Sequence, residues 1–324
     1  MSDDLSIEPS GEVSLPEQPP EQHAIQHGPR WVFFGSDGLR AGWGALLFVV
    51  IFLALSILVG VGVKTLLHGH LPNPKAPQSP RWALITELVQ MCLVLFATWI
   101  MARIEGRRLA VYGYAGRAKL VRFLWGGVWG FLALSALVSV LWKTHLLAFD
   151  ASRLHGLVVL KYGLVWLLMF VFTAIFEESL LRGYLQYTLT RGMGFWWGAL
   201  LMSIVFGAIH GSNKGESPVG LFSAGAVGLV FCISLWYTGS LWWAIGFHAT
   251  WDWAQTFFYG TPDSGMVARG HMMSEHPVGP LLWSGGPTGP EGSLYIVPLL
   301  LIMALAMWLW WRRRGVTTPY RQDV

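Results

Sequence analysis

Charged side chains are scarce in this sequence. Asp, Glu, Lys and Arg make up 12% of the 324 residues, whereas hydrophobic residues make up 54% and the mean hydropathy is +0.49. A typical soluble domain contains about 25% charged residues. This scarcity excludes an ordinary soluble protein and predicts an integral membrane protein that crosses the lipid bilayer several times.

Cysteine is also rare, with two in the whole chain. Cys92 and Cys232 both lie inside apolar stretches, where a free cysteine behaves as a small hydrophobic residue. A fold held by disulfide bonds is therefore excluded. The formal net charge of +4 would suggest nucleic-acid binding in a soluble protein. Here the basic residues flank apolar stretches. Their positions are explained by the orientation of the helices in the membrane and by attraction to anionic lipid headgroups. We therefore predict no nucleic-acid partner.

Long apolar segments dominate the rest of the chain. A helix needs about 20 apolar residues to cross a bilayer. Eight segments approach or exceed this length, at residues 41–63, 82–102, 120–142, 164–189, 193–210, 219–237, 240–258 and 294–311. The sequence therefore predicts an all-α fold, a polytopic transmembrane bundle of about eight spans. Glu87, near the start of the second segment, is expected to snorkel toward the membrane interface, and the alternative is that it lines a cavity.

The segments divide the chain into five regions. Residues 1–28 are rich in proline and lack apolar periodicity, which predicts a disordered cytoplasmic tail without the pattern of a signal peptide. The N-terminal transmembrane helices occupy 29–159, and the segments of 160–258 carry the polar residues discussed below. A Gly- and Pro-rich external loop is expected at 259–293, followed by the last span and a basic cytoplasmic tail at 294–324.

The distribution of basic residues predicts the orientation in the membrane. With eight spans, thirteen Lys and Arg residues lie on the side of the two termini and eight on the opposite side. Basic residues are enriched in cytoplasmic loops. We therefore expect both termini in the cytoplasm and the protein in the cell (inner) membrane.

Three ionisable residues interrupt the fourth apolar segment. A charge at the centre of a bilayer costs a few kcal/mol or more, so Glu177, Glu178 and Arg182 must be paired, face a cavity or take part in chemistry. On a helix, Glu178 and Arg182 are separated by four positions and share a face. Glu177 points about 100° away from its neighbour. We predict that Arg182 neutralises Glu178, which leaves Glu177 without a partner in its own helix.

Two later segments contain further polar residues. His210 ends the stretch Phe206-Gly-Ala-Ile-His210, and His248 and Asp252 are four positions apart in the stretch His248-Ala-Thr-Trp-Asp252. A single intramembrane histidine is often only an interhelical hydrogen-bonding residue. Two histidines together with several carboxylates are too costly to serve packing alone. We therefore predict a polar cavity inside the bundle.

Helix geometry places these residues at related depths. At 1.5 Å per residue, Glu177 and His210 both lie roughly 25 Å from a chain reversal at residues 192–194. His248 lies only about 13 Å from the turn at Gly239. A tilted or broken helix is needed to bring it to the same depth, and Gly246 is the expected place for a break or a close helix approach.

The three motifs resemble those of a known family. Glu177-Glu178-x-x-x-Arg182, Phe206-x-x-x-His210 and His248-x-x-x-Asp252 occur in the order found in the CPBP intramembrane endopeptidases. This family includes the type II CAAX prenyl endopeptidase and the bacteriocin-processing or immunity proteins called ABI. The resemblance covers roughly residues 160–258, which makes this region the expected catalytic core. One departure is Asp252, because the third motif often ends in Asn.

The resemblance implies a mechanism of peptide hydrolysis. Glu177 with His210 would activate a water molecule, and His248 would help to hold the oxyanion. From the residues alone, Asp252 is expected to accept a hydrogen bond from His248 and orient it, as the carboxylate of a catalytic triad does. Glu178, Arg182 and Phe206 would give structural support. The expected substrate is a membrane-associated peptide or protein. A prenylated C-terminus, a leader peptide and another membrane protein are the alternatives.

Two alternatives remain open at this stage. Glu177, His210 and His248 with a water molecule would form a zinc set typical of metalloproteases. The helical His-Glu-x-x-His spacing is absent and the resemblance implies metal-free chemistry, so no cofactor is expected. The second alternative is a non-enzymatic protein, either a bacteriocin immunity factor or a proton-coupled carrier, because intramembrane Glu and His also build proton relays. The chain shows no internal repeat of the kind found in many carriers.

Overall fold

The structure is a computed structural model that describes residues 30–35, 38–68, 79–151 and 154–314. The predicted disordered tail at 1–28 and the end of the basic tail, from residue 315 onward, lie outside the described residues.

Helices form nearly all of the described structure, because a backbone in lipid must satisfy its hydrogen bonds internally. In chain order they are α1 (Arg30–Phe33), α2 (Ala41–Leu66), α3 (Pro80–Ile104), α4 (Lys119–Lys143), α5 (Leu157–Glu178), α6 (Gln186–Met193), α7 (Phe195–His210), α8 (Pro218–Thr238), α9 (Trp242–Trp253), α10 (Leu281–Ser284) and α11 (Ile296–Trp311). Two π-helical segments, Ser179–Leu185 and Ala254–Tyr259, continue α5 and α9. The predicted all-helical class is confirmed.

Among the described residues, five helices are long and apolar enough to cross a membrane. These are Ala41–Leu66, Pro80–Ile104, Lys119–Lys143, the continuous helix Leu157–Met193, and Pro218–Thr238. Phe195–His210 and Ile296–Trp311 are apolar but shorter. The protein is thus an integral membrane protein, while the count of eight spans stays a prediction.

Glycine residues bring α4 and α9 into close contact. A Cβ atom on Gly126 would overlap the carbonyl oxygen of Trp243, and one on Gly246 would overlap that of Phe123. Small residues let membrane helices approach backbone to backbone. The predicted role of Gly246 in close approach is therefore found, but the alternative of a helix break is wrong, because α9 is unbroken through His248.

Short strands form two separate pairs in the loops, one before α2 and one after α4. Strand β1 (Phe34–Gly35) pairs antiparallel with β2 (Gly38–Leu39), and β3 (Leu147–Asp150) pairs antiparallel with β4 (Ser274–Pro277). The β3–β4 pair fastens the segment that was expected to be an external loop. That segment folds back onto the helices, and its polar residues Thr261, Asp263, Thr288 and Ser293 are buried.

Candidate active site

The last turn of α5 presents two carboxylates in different directions. Glu178 Oε1 lies 3.0 Å from Arg182 Nη1, and both side chains are fully buried. The predicted ion pair is therefore present. Arg182 lies in the π-helical segment, where Gly183 leaves helical geometry with ψ of −110°. Single π-helical turns often occur at functional sites. The sequence predicted a regular helix here.

Aromatic and small residues enclose the Arg182 guanidinium. It lies over the ring of Phe206 with 4.4 Å between its Cζ atom and the ring centroid, which is a favourable cation–π distance. Phe206 was expected to give structural support, and this contact with the Arg182 guanidinium is a physical basis for that role. Gly228 on α8 makes room on another side, because a Cβ atom there would overlap Arg182 Nη2. Sequence reasoning missed Gly228, since an unremarkable glycine in an apolar helix gives no signal.

His248 lies among three carboxylates. Its Nδ1 atom is 3.1 Å from Glu178 Oε1, while its Nε2 atom is 3.5 Å from Glu177 Oε2 and 3.4 Å from Asp252 Oδ2. The predicted contact with Asp252 is present, but at Nε2. The contact with Glu178 was not predicted, because Arg182 was expected to be the partner of Glu178. Glu178 is thus the group that fixes the far side of the imidazole.

His210 is held by its own helix. Its Nδ1–H donates to the carbonyl oxygen of Phe206 at 2.8 Å, and the Phe206 ring meets the imidazole edge-on at 4.6 Å. Since a carbonyl oxygen only accepts, Nδ1 carries the proton and Nε2 of the neutral ring is an acceptor. The local turn thus fixes both the tautomer and the direction of the ring.

A cavity of about 210 Å³ brings these side chains together. The polar residues that line it come from helices, from the turn between α7 and α8 and from the loop after α9. They are Glu87, Thr173, Glu177, His210, Asn213, Ser223, His248, Asp252, Asp263, Ser264 and Glu291. All four residues predicted as catalytic border this one space. Glu87 also lines it, so the cavity-lining alternative is found for Glu87 in place of the snorkelling that was expected first.

The loop after α9 contributes two carboxylates that the sequence did not reveal. Glu291 Oε1 accepts hydrogen bonds from the backbone N–H and the hydroxyl of Ser264, at 2.6 and 2.8 Å. Asp263 Oδ2 accepts a hydrogen bond from Thr256 at 3.1 Å. Burial, reinforced by the nearby charges of Asp252 and Glu291, raises the pKa of Asp263 well above its ordinary value. A Gly- and Pro-rich stretch gives no sequence signal for such folding back.

A metal ion needs several ligating side chains grouped around one point. In the described part of the chain, no group of three or more His, Cys, Asp or Glu side chains is arranged to hold an ion. The alternative zinc set of Glu177, His210 and His248 is therefore not such a group. What these side chains do offer is a carboxylate, two imidazoles and a bordering space for water and substrate.

Comparison with known proteins agrees with this geometry. Residues 159–254 match the model of the family described as type II CAAX prenyl endopeptidase Rce1-like. No curated protein and no solved structure matches the chain significantly. The matched segment contains every predicted site residue, namely Glu177, Glu178, Arg182, Phe206, His210, His248 and Asp252. In this segment, the chain is therefore similar to the type II CAAX prenyl endopeptidases.

Proposed function

We propose that the protein is an intramembrane endopeptidase that uses Glu177 and His210 to activate a water molecule without a metal cofactor. One observation carries the proposal. Glu177 lines the cavity, and its Oε2 atom lies 3.5 Å from His248 Nε2 without a hydrogen-bond partner among the described residues. A carboxylate in this position is available to a water molecule, and a nearby ring nitrogen is available to the reacting carbonyl.

The proposed reaction follows from these positions. Glu177 takes a proton from the water, whose oxygen forms a bond to the carbonyl carbon of the scissile peptide. His210 Nε2 accepts a hydrogen bond from the other O–H of the water and so orients the water. The carbonyl oxygen becomes an oxyanion, to which protonated His248 donates from Nε2. The C–N bond then breaks as the proton held by Glu177 passes to the leaving nitrogen.

Glu178 and Asp252 support His248 from two sides. Glu178 accepts from Nδ1–H and so directs Nε2 toward the cavity. Asp252, 3.4 Å from Nε2, favours the protonated ring that the oxyanion requires. This assignment moves the task of orienting His248, which was expected of Asp252 alone, to Glu178. Asp252 is left to balance charge at the reacting face.

The proposed substrate is a membrane-associated peptide or protein. The family match favours a peptidase over the immunity-factor and carrier alternatives.

We also propose the predicted orientation in the cell membrane, with both termini cytoplasmic. Reporter fusions after Gly116 and after Gly279 test it, since the first should report a cytoplasmic position and the second the opposite side. The reverse pattern would overturn this orientation.

The decisive experiment compares membranes that contain the wild type, Glu177→Gln or Glu275→Gln, by quantitative proteomics of peptide termini. Glu177→Gln keeps the shape of the side chain and removes the base. We expect cleavage to fall on the order of a thousandfold or more while the protein stays folded. Glu275→Gln is a matched control, because that carboxylate lies in β4 and does not line the cavity. Near-normal turnover by Glu177→Gln would remove Glu177 from the catalytic role.

A further inference from the structure

A second cavity, of about 720 Å³, lies at the opposite end of the same helices. The candidate active site borders the beginnings of α8 and α11, at Ser223 and Ile296. The second cavity borders the ends of these helices, at Tyr237 and Trp311, together with the beginning of α4. The residues that α4 and α11 contribute lie outside the segment matched by the family model.

Aromatic side chains form the body of this cavity. Trp125 and Trp129 of α4 face Trp243 of α9 across it. The side chain of Trp125 is 59% exposed, so the cavity opens sideways toward the lipid that surrounds the helices. Tryptophan is enriched at the level of the membrane interface, where one part of the ring meets apolar chains and another meets headgroups. The space therefore suits a hydrocarbon chain that enters from the bilayer.

Positive charge marks one end of the cavity. Arg117 and Arg122 line it near the beginning of α4, and no acidic side chain of the described residues does so. Arg122 Nη1 donates to the carbonyl oxygen of Thr238 at 3.1 Å, which holds the guanidinium at the cavity wall. A guanidinium matches the oxygens of a phosphate in geometry and charge. Trp129 lies two helical turns farther along α4, about 10 Å deeper.

The cavity thus has a cationic mouth and an apolar body, which match the charged headgroup and the hydrocarbon chain of a lipid. We propose that it binds an anionic phospholipid, with the phosphate against Arg117 and Arg122 and an acyl chain along Trp125, Trp129 and Trp243. Because α4, α8, α9 and α11 all border the cavity, the bound lipid would hold their ends together. This proposal does not depend on the proposed hydrolysis, since the two cavities share no lining residue.

The test uses the full-length protein, purified in a neutral detergent and freed of lipid. Phosphatidylglycerol, phosphatidylcholine or inorganic phosphate is added, and native mass spectrometry and thermal unfolding report binding. We expect phosphatidylglycerol to remain bound and to raise the unfolding temperature, while phosphatidylcholine and inorganic phosphate do neither. An equal shift with inorganic phosphate would overturn the lipid proposal, and equal binding of phosphatidylcholine would overturn the role of charge.

Variants connect the binding to the cavity. Arg117→Gln and Arg122→Gln should each weaken phosphatidylglycerol binding about fivefold. Arg103→Gln is the matched control, because Arg103 is exposed at the end of α3 near the same bundle end and does not line the cavity. Arg117 is also exposed, so its replacement tests binding even where loss of the Arg122 hydrogen bond disturbs folding. Equal weakening by Arg103→Gln, or none by Arg117→Gln, would show unspecific attraction and sink the proposal.

Discussion

A single oxygen atom links the structural and reactive parts of the candidate site. Glu178 Oε1 accepts from Arg182 Nη1 at 3.0 Å and from His248 Nδ1 at 3.1 Å. The guanidinium pairs with the buried carboxylate, and the same carboxylate oxygen holds the imidazole. A change at Arg182 therefore reaches the reacting nitrogen through two hydrogen bonds, although Arg182 itself does not line the cavity.

Removal of Arg182 should destabilise the protein. Arg182→Ala leaves Glu178 as an unpaired buried charge, and breaking a buried pair costs roughly 3–5 kcal/mol. We expect a lower thermal unfolding temperature in detergent. Glu178→Gln in the same chain removes the stranded charge and should recover part of the stability. Activity should stay about tenfold or more below wild type, because the amide accepts from His248 without the charge. A double variant no more stable than Arg182→Ala would contradict the pairing.

Asp252 has three possible roles beside His248 Nε2: it favours the protonated imidazole, stands at the oxyanion or binds zinc. Asp252→Asn keeps the shape but removes the charge that favours protonated His248, so we expect activity to fall. Bound zinc should be equally low in wild type and variant, and a chelator should leave the wild type active. Activity that holds or rises would instead place residue 252 at the oxyanion, where an amide donates. Inactivation by chelator with recovery on added zinc would refute metal-free chemistry.

Contacts within one helix could be predicted, and contacts between distant segments could not. The pairs Glu178–Arg182 and His248–Asp252 follow from a spacing of four residues on a helix. The contact between Glu178 and His248 joins residues that are 70 positions apart. Nothing in a single sequence gives the rotation of α5 relative to α9, so the second partner of Glu178 stayed hidden.

At the scale of elements, the contact between α4 and α9 sets the position of His248. Gly246→Ala places a Cβ atom on the Phe123 carbonyl oxygen, so the two backbones must separate. We expect a loss of roughly 1–3 kcal/mol in unfolding free energy, which is typical of overpacking, and reduced activity. Gly60→Ala in α2 is the control, because its Cβ would meet no atom of the described residues within 4 Å.

Thermal unfolding and turnover of both glycine variants check this prediction. Gly60→Ala should be neutral or more stable by about 0.5–1 kcal/mol, since alanine favours a helix. Equal stability of the two variants would mean that the contact between α4 and α9 is not tight in the membrane protein.

The positions of the helices were predictable, but their irregularities were not. Each of the eight predicted apolar segments coincides with helical structure, because hydropathy alone specifies it. The π-helical segments at Ser179–Leu185 and Ala254–Tyr259 depend on packing between helices, which leaves no periodic signal. The folding back of the loop after α9 likewise depends on tertiary contacts such as the one between Ser264 and Glu291.

At the scale of the whole molecule, buried carboxyls outside the candidate membrane-spanning helices make stability depend on pH. Burial is the main cause that raises the pKa of Asp263 and brings that of Glu275 to about 7. Neighbouring Asp252 and Glu291 add to the effect at Asp263, and Asp150 adds to it at Glu275 against the opposing His276. The folded state thus favours the protonated carboxyls. Their contribution to the stability of the folded state is complete below the pKa of the unfolded chain, about 4 to 4.5. It is lost as the pH rises through the pKa values of the folded state.

We expect the unfolding temperature in detergent to fall between pH 5 and pH 8. Asp263→Asn with Glu275→Gln should flatten this dependence and raise the unfolding temperature most at pH 8. Thermal scans of both proteins across this range provide the measurement. An unchanged slope in the double variant would show that other groups control the dependence.

The glycine contact described for α4 and α9 also limits how this enzyme can be taken apart. The residues proposed for the reaction lie within 159–254, but one wall that aligns them is α4, at Lys119–Lys143. An excised segment would expose the bare backbone of Gly246 to lipid and lose the surface that holds His248 in place. Exchange of this segment between relatives would succeed only where both carry matching glycines on the two helices. The motif-bearing region therefore cannot be transferred to another protein by itself, because α4 must be transferred with it.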